Sequence, residues 1–189
     1  MPSASAPTII AGDFKGKRLQ VPAGRTVRPT RSLVRGALYD MVGPRVLDAV
    51  ALDLFAGAGA LGLEALSRGA RHMVFVERDR RARAALGANI AACAVPADRH
   101  VVLPMDADAL HPSDLPAAGV PLDLLLLDPP FARPHPLPER LVHGLPLAAD
   151  PLMVLHADAD RFVPPTVGPW RLDRRRAHGR SAICLYRLA

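Results

Sequence analysis

Residues 52–62 read Leu-Asp-Leu-Phe-Ala-Gly-Ala-Gly-Ala-Leu-Gly, an apolar run that breaks into glycines at 57, 59 and 62 and continues into an apolar helical stretch at 60–68. Glycines spaced G-x-G-x-x-G let the backbone come close to a ligand where a strand turns into a helix. Glu77 follows the next apolar run, 20 residues after Gly57, where a carboxylate can accept hydrogen bonds from ribose hydroxyls. Working outward, strands are expected at 51–54, 73–76, 101–105, 122–127 and 152–155, and helices at 60–68, closed by Gly69, at 80–94 and at 139–143. Nearly unbroken apolar runs such as 122–127, interrupted only by Asp123, suit strands covered on both faces. The alternation predicts a Rossmann-like, mostly parallel doubly wound α/β sheet. The tail, 170–172 and 183–186, reads as a closing antiparallel pair around a turn at Arg174-Arg175-Arg176 and Gly179.

The chain has 189 residues, half of them apolar, enough for one domain with a real core and too apolar for wholesale disorder. No run of about 18 apolar residues exists to cross a membrane, and residues 1–14 lack the basic start and apolar centre of a secretory signal. Cys93 and Cys184 are far apart and form no C-x-x-C, which fits buried thiols in a reduced, cytoplasmic protein. The seven histidines show no ligand spacing, so no metal is expected. Monomer is the default.

Charge divides the chain. Residues 1–45 hold eight basic side chains and two acidic ones, whereas 46–189 hold sixteen of each. The whole excess of +6 therefore lies in an N-terminal extension: a short hairpin at 8–21, an extended link at 25–30 and a helix at 32–42 capped by Ser32. Lys15, Lys17, Arg18, Arg28, Arg31 and Arg35 are the candidate contacts to a polyanion, with the rest of the chain, 46–189, as the ligand-binding domain.

Asp53 narrows the ligand. A carboxylate directly before the glycine turn disfavours a dinucleotide's pyrophosphate and suits S-adenosylmethionine, which carries an ammonium and a sulfonium and no phosphate. Asp53, Phe55, Ala56, Gly57, Gly59 and Glu77 form the expected cofactor loop, and Asp106-Ala107, after the third strand, offers an acceptor for an adenine amine.

Asp128-Pro129-Pro130-Phe131 follows the run 122–127 directly, at the carboxyl edge where open α/β sheets bind ligands. The lone pair of an exocyclic base amine is delocalised into its ring. A carboxylate from Asp128 and a carbonyl from Pro129, accepting the two N–H bonds, would localise that lone pair and aim it. The prolines restrict the backbone that holds these acceptors, and Phe131 offers a stacking face worth about 1–3 kcal/mol. The pattern points to methyl transfer onto a planar amine.

These residues resemble the RsmD family of bacterial 16S ribosomal RNA guanine-N2 methyltransferases. The resemblance is carried by 53–70, by Phe75-Val76-Glu77-Arg78-Asp79 and by 128–131, and at the N-terminus by Ile9-Ile10-Ala11-Gly12, Gly16-Lys17-Arg18-Leu19, Val21-Pro22 and Arg28-Pro29-Thr30. It implies the class I methyltransferase fold, S-adenosylmethionine bound by Asp53, Gly57, Gly59, Glu77 and Asp106, the guanine amine held by 128–131, and 16S RNA, in the small ribosomal subunit or an assembly intermediate, met by the basic extension.

The chain departs from the family pattern at Ser32, Leu33 and Gly36, where an acidic-basic run is usual, at His156, where a glutamate often ends the fifth strand, and at Arg133-Pro134-His135-Pro136. Three other readings stay open at this level. One is methylation of another base amine, such as adenine N6. Another is a catalytically silent RNA-binding homologue. The third, an NAD-dependent oxidoreductase, needs a hydride-transfer partner that the sequence does not offer.

Overall fold

The computed structural model describes residues 6–22, 30–115, 120–130 and 144–189, with the backbone alone at 30 and 31. The expected link at 25–29, Arg28, Phe131, the loop at 133–136 and the helix at 139–143 lie outside the described residues. In chain order the elements are α1 (Thr30–Val42), β1 (Val50–Asp53), α2 (Ala60–Ser67), β2 (His72–Val76), α3 (Arg80–Ala92), β3 (His100–Leu103), β4 (Leu122–Leu127), β5 (Leu147–Asp158), β6 (Thr166–Val167), β7 (Trp170–His178) and β8 (Ser181–Leu188). They form one sheet in the order β3-β2-β1-β4-β5-β8-β7-β6. Pairings from β3 through β5 are parallel and those among β5, β8, β7 and β6 antiparallel. The order reverses beside β1, which opens a crevice at the carboxyl ends of β1 and β4.

Both faces of the central strands are buried, as their apolar runs require. On one face Ala51, Phe75, Leu126 and Val154 pack with Leu38 of α1, Leu63 and Leu66 of α2 and Leu86 of α3. Ile9 and Leu19 join the same core, so the N-terminal segment is built into the sheet's packing. The opposite face, with Leu52, Val74, Leu125 and Leu155, is closed by Ala107, Leu110 and Leu115 after β3 and by Trp170. Among the described residues no helix is long and apolar enough to cross a membrane.

Several boundaries differ from expectation. Helix α1 starts at Thr30, so Ser32 lies in its first turn and does not cap it. Strand β5 runs for twelve residues, against four expected, because β4 and β8 supply backbone partners on both sides of it. Arg174, Arg175 and Arg176 lie inside β7, and the turn is at Gly179-Arg180, with Gly179 at φ 60°. An exposed strand shows no apolar alternation from which it could be read. The expected hairpin at 8–21 reduces to the antiparallel bridge Thr8–Arg18 around a tight loop.

That loop is stitched to α2. The fully buried Glu64 accepts the Ile10 and Ala11 amides at 2.8 and 3.1 Å and pairs with Arg35 at 3.3 Å and Arg68 at 2.8 Å. Gly12 lies so close to α2 that a Cβ there would stand 1.7 Å from the Ser67 carbonyl oxygen. Arg35 is the main correction to the predicted RNA contacts: it is 4% exposed, paired with Glu64 and bonded to the Thr8 carbonyl. A guanidinium held inside the core is a clamp between α1, α2 and the N-terminal segment, and it presents nothing to a phosphate.

Candidate active site

The strand-to-helix turn after β1 is shaped by its glycines. Gly57 and Gly59 adopt left-handed φ angles of 55° and 86°, which glycine takes without steric penalty. A Cβ at Gly62 would lie 2.2 Å from the Phe75 ring and one at Gly59 2.4 Å from Leu86, whereas at Gly57 no such atom comes nearer than 4.0 Å. Gly59 and Gly62 are therefore packing glycines, while Gly57 faces open space, as a ligand cradle requires. Glu77 braces this loop by accepting the Gly57 amide at 2.7 Å and the Asp79 amide at 2.7 Å. The Ala56 amide donates to the Val76 carbonyl, and Asp79 caps α3.

Asp53 lies beneath the loop, 1% exposed. Its Oδ2 accepts the Gly62 amide at 3.1 Å, and its buried Oδ1 has no hydrogen-bond partner among the described residues. Burial pushes its carboxyl up to about 7, opposed by the Gly62 amide and reinforced by the charges of Asp128 and Glu77. Three carboxylates thus converge on one crevice, an environment that rewards a cationic ligand and penalises a phosphate. Asp106 stands at the outer side: one oxygen pairs with Arg78 at 2.7 Å and the other accepts the Asp108 amide at 3.1 Å, with the buried Ala107 between. Phe55 is half-buried at the start of the loop.

Asp128 is the first residue beyond β4. Leu127 is registered with Leu155 in parallel, so the next residues of the two strands, Asp128 and His156, come side by side. His156 Nδ1 lies 2.7 Å from Asp128 Oδ1, with the imidazole 8% and the carboxylate 32% exposed. The contact fixes the plane of the carboxylate at the rim of the crevice. Pro129 is buried and Pro130 exposed, which anchors one proline beneath the loop. Among the described residues no group of three His, Cys, Asp or Glu side chains could hold a metal ion.

The structure brings together Asp53, Gly57, Glu77 and Asp128 as the motifs predict. Lys15, Lys17 and Arg18 are exposed on the N-terminal loop, whereas Arg28 and the Arg31 side chain fall outside the described residues. His156, marked in the sequence only as a departure from the family pattern at the end of the fifth strand, was given no role there. Its available signal was its place directly after an apolar run, like that of Asp128, but the neighbouring of two such ends depends on strand order and register.

The family described as "Conserved hypothetical protein 95" matches residues 8–187. Ribosomal RNA small subunit methyltransferase D of Escherichia coli (strain K12) is 35% identical over 182 residues, covering 94% of this chain and 88% of that protein. YlbH of Bacillus subtilis (strain 168) is 32% identical over 181 residues, covering 95% and 97%. Among solved structures, yhhF of Escherichia coli superposes with a TM-score of 0.79 at 34% identity, over 96% of this chain and 97% of that one. Similarity that spans the basic N-terminal loop, the crevice and the last strand makes the chain a member of this family, to which the RsmD resemblance of its motifs already pointed.

Proposed function

We propose that the chain is an S-adenosylmethionine-dependent methyltransferase acting on the exocyclic N2 amine of a guanine in 16S ribosomal RNA, in the small subunit or an assembly intermediate. It works as a cytoplasmic monomer in this reading. The observation that carries it is Asp128, held by His156 at the crevice rim, two residues beyond the level of Asp53 on the neighbouring strand.

The residues present fit the cofactor: Gly57 leaves room for it, and Asp53 Oδ1 is a buried acceptor without a partner among the described residues. Asp53 would meet its cationic groups, Glu77 its ribose hydroxyls, and Asp106 with Ala107 its adenine amine, lined by Phe55, Ala56 and Gly59. Bound there, S-adenosylmethionine supplies an electrophilic methyl group on a positively charged sulfur. The Asp128 carboxylate and the Pro129 carbonyl accept the two N–H bonds of the guanine amine, and Phe131 gives the base a stacking face. Held so, the amine nitrogen would present its lone pair for methylation. The resulting ammonium loses a proton to water. His156 acts as a positioning residue through Asp128, and Lys15, Lys17, Arg18, Arg28 and Arg31 are the phosphate contacts of the N-terminal part.

The test is transfer of labelled methyl from S-adenosylmethionine to unmethylated small subunits and to protein-free 16S RNA, followed by nucleoside analysis. Labelled N2-methylguanosine with the wild type and none with Asp128→Ala is expected. Label on adenine would replace the base assignment, and failure to bind the cofactor would favour a silent RNA-binding homologue.

A further inference from the structure

The whole-chain charge balance conceals a second basic region. Within 46–189, where basic and acidic groups cancel, residues 170–189 hold six arginines against Asp173 alone, while 46–169 hold ten basic and fifteen acidic side chains. The six are Arg171, Arg174, Arg175, Arg176, Arg180 and Arg187, all on the β7–β8 hairpin.

Their register relates them to the site. Leu127, Leu155, Cys184 and Arg175 form one row across β4, β5, β8 and β7, and His156, Ile183 and Arg176 form the next. Cross-strand partners share a face and so do alternate residues of a strand. Arg176 opposite Ile183 and Arg174 opposite Leu185 therefore stand on the face that bears His156, where that imidazole meets Asp128. Three strand spacings place the Arg176 backbone about 14 Å from β4 at the level of the catalytic loop, on the order of four nucleotides of helical rise. Arg174, Arg176 and Arg180 are exposed and make no ion pair among the described residues, unlike Arg187, which pairs with Asp173 at 3.3 Å. Strand β6 pairs only with Trp170 and Arg171, so the upper part of β7 is an open edge with no strand beside it among the described residues.

Resting on the methyltransferase reading, we propose that Arg174, Arg176 and Arg180 form a second RNA contact, gripping the phosphates of the strand that leads away from the target base at Asp128. The N-terminal loop and this edge then hold the RNA from two ends of the chain. Charges on an edge strand also deter strand addition, but that role is indifferent to level along the strand. Phosphate binding near the target is not.

The experiment compares two double variants of the same hairpin with equal loss of charge: Arg174→Gln/Arg176→Gln, level with Val154 and His156 near the proposed catalytic loop, and Arg171→Gln/Arg187→Gln, level with Leu152 in the middle of β5. Binding of the full chain to a protein-free 16S RNA fragment is measured by fluorescence anisotropy across a salt series, with melting temperature as the folding check. The upper pair is expected to weaken binding about tenfold near 0.15 M salt and to reduce the log–log salt slope by about 1.4, two single-strand phosphate contacts, with cofactor affinity unchanged. The lower pair is expected to leave the slope within error. Equal effects of both pairs, no effect of either, or no RNA affinity in the wild type would each overturn the proposal. A loss seen only with assembled subunits would assign the edge to a ribosomal protein and also overturn it. Methyl transfer by the wild type, assayed in parallel, keeps the two readings apart: transfer with an unaltered slope sinks only the second contact, and salt-sensitive binding without transfer sinks only the enzymatic reading.

Discussion

Asp53 and Asp128 end neighbouring parallel strands and face the same crevice, yet they have been given different chemistry. Asp53 is registered with Leu126, which places Asp128 two residues, about 7 Å, further out along the strand direction. Over that distance the side-chain exposure rises from a fully buried carboxyl, pushed up to about 7, to one that is 32% exposed and bonded to an imidazole. The inner aspartate, despite the Gly62 and Phe55 amides, is held up chiefly by burial and would gain from a cation beside it. The outer one is oriented by His156 and presents an acceptor to whatever enters from solvent. Strand ends place both residues, and depth in the crevice gives them different surroundings.

The largest effect that can break this division comes from Asp128→Ala, for which kcat is expected to fall about 10³-fold, the usual consequence of losing an oriented polar group at a reacting centre. The dissociation constant for S-adenosylmethionine, measured by calorimetry, should stay within about twofold; an equal loss in cofactor affinity would make Asp128 a second Asp53. Next, His156→Ala is expected to lower kcat about 10–100-fold, the range for a hydrogen bond to a charged group, with KM for RNA little changed. His156→Gln, which keeps an N–H donor to Asp128, should recover much of the rate. An equal loss of rate in both variants, tracking a loss of thermal stability, would reduce His156 to a packing residue.

Asp53→Asn is expected to weaken cofactor binding about tenfold at pH 8. The sign of the pH dependence follows from its raised pKa: a cation bound beside Asp53 favours the carboxylate, so binding expels a proton, and wild-type affinity should rise as pH increases through about 7. In the variant that rise should be absent, and a persistent rise would assign it to another group. The smallest effects separate the glycines between the two aspartates. Gly62→Ala, set against Phe75, should cost about 1–3 kcal/mol of stability in denaturant titrations through overpacking. Gly57→Ala should cost only about 1 kcal/mol for its left-handed backbone, with the larger loss in cofactor affinity.

Much of the scaffold was legible because it is encoded locally. The run 122–127 is β4, and the helix expected at 60–68 is found at Ala60–Ser67, since apolar runs and glycines with positive φ act over a few residues. Strand β5 was too short in expectation because its outer residues are ordered by partners and not by their own apolarity. Arg35 was misassigned for a related reason. A basic residue in a basic segment reads as surface, and only the packing of α1 on α2 brings Glu64 against it. The same holds for the β7 arginines, whose place in a strand rests on pairing with β8.

The sequence by itself determined the order of strands and helices, the glycine turn at 57–62 and the Asp-Pro-Pro-Phe motif at 128–131, because each depends on residues within about ten positions of one another. Tertiary structure alone decided that His156 meets Asp128, that Arg35 is enclosed while Arg174 and Arg176 face solvent level with Val154 and His156, and that Asp53 is buried deeply enough to hold its proton near neutrality. Those outcomes rest on strand register, helix packing and desolvation, which are set by the whole chain closing on its core.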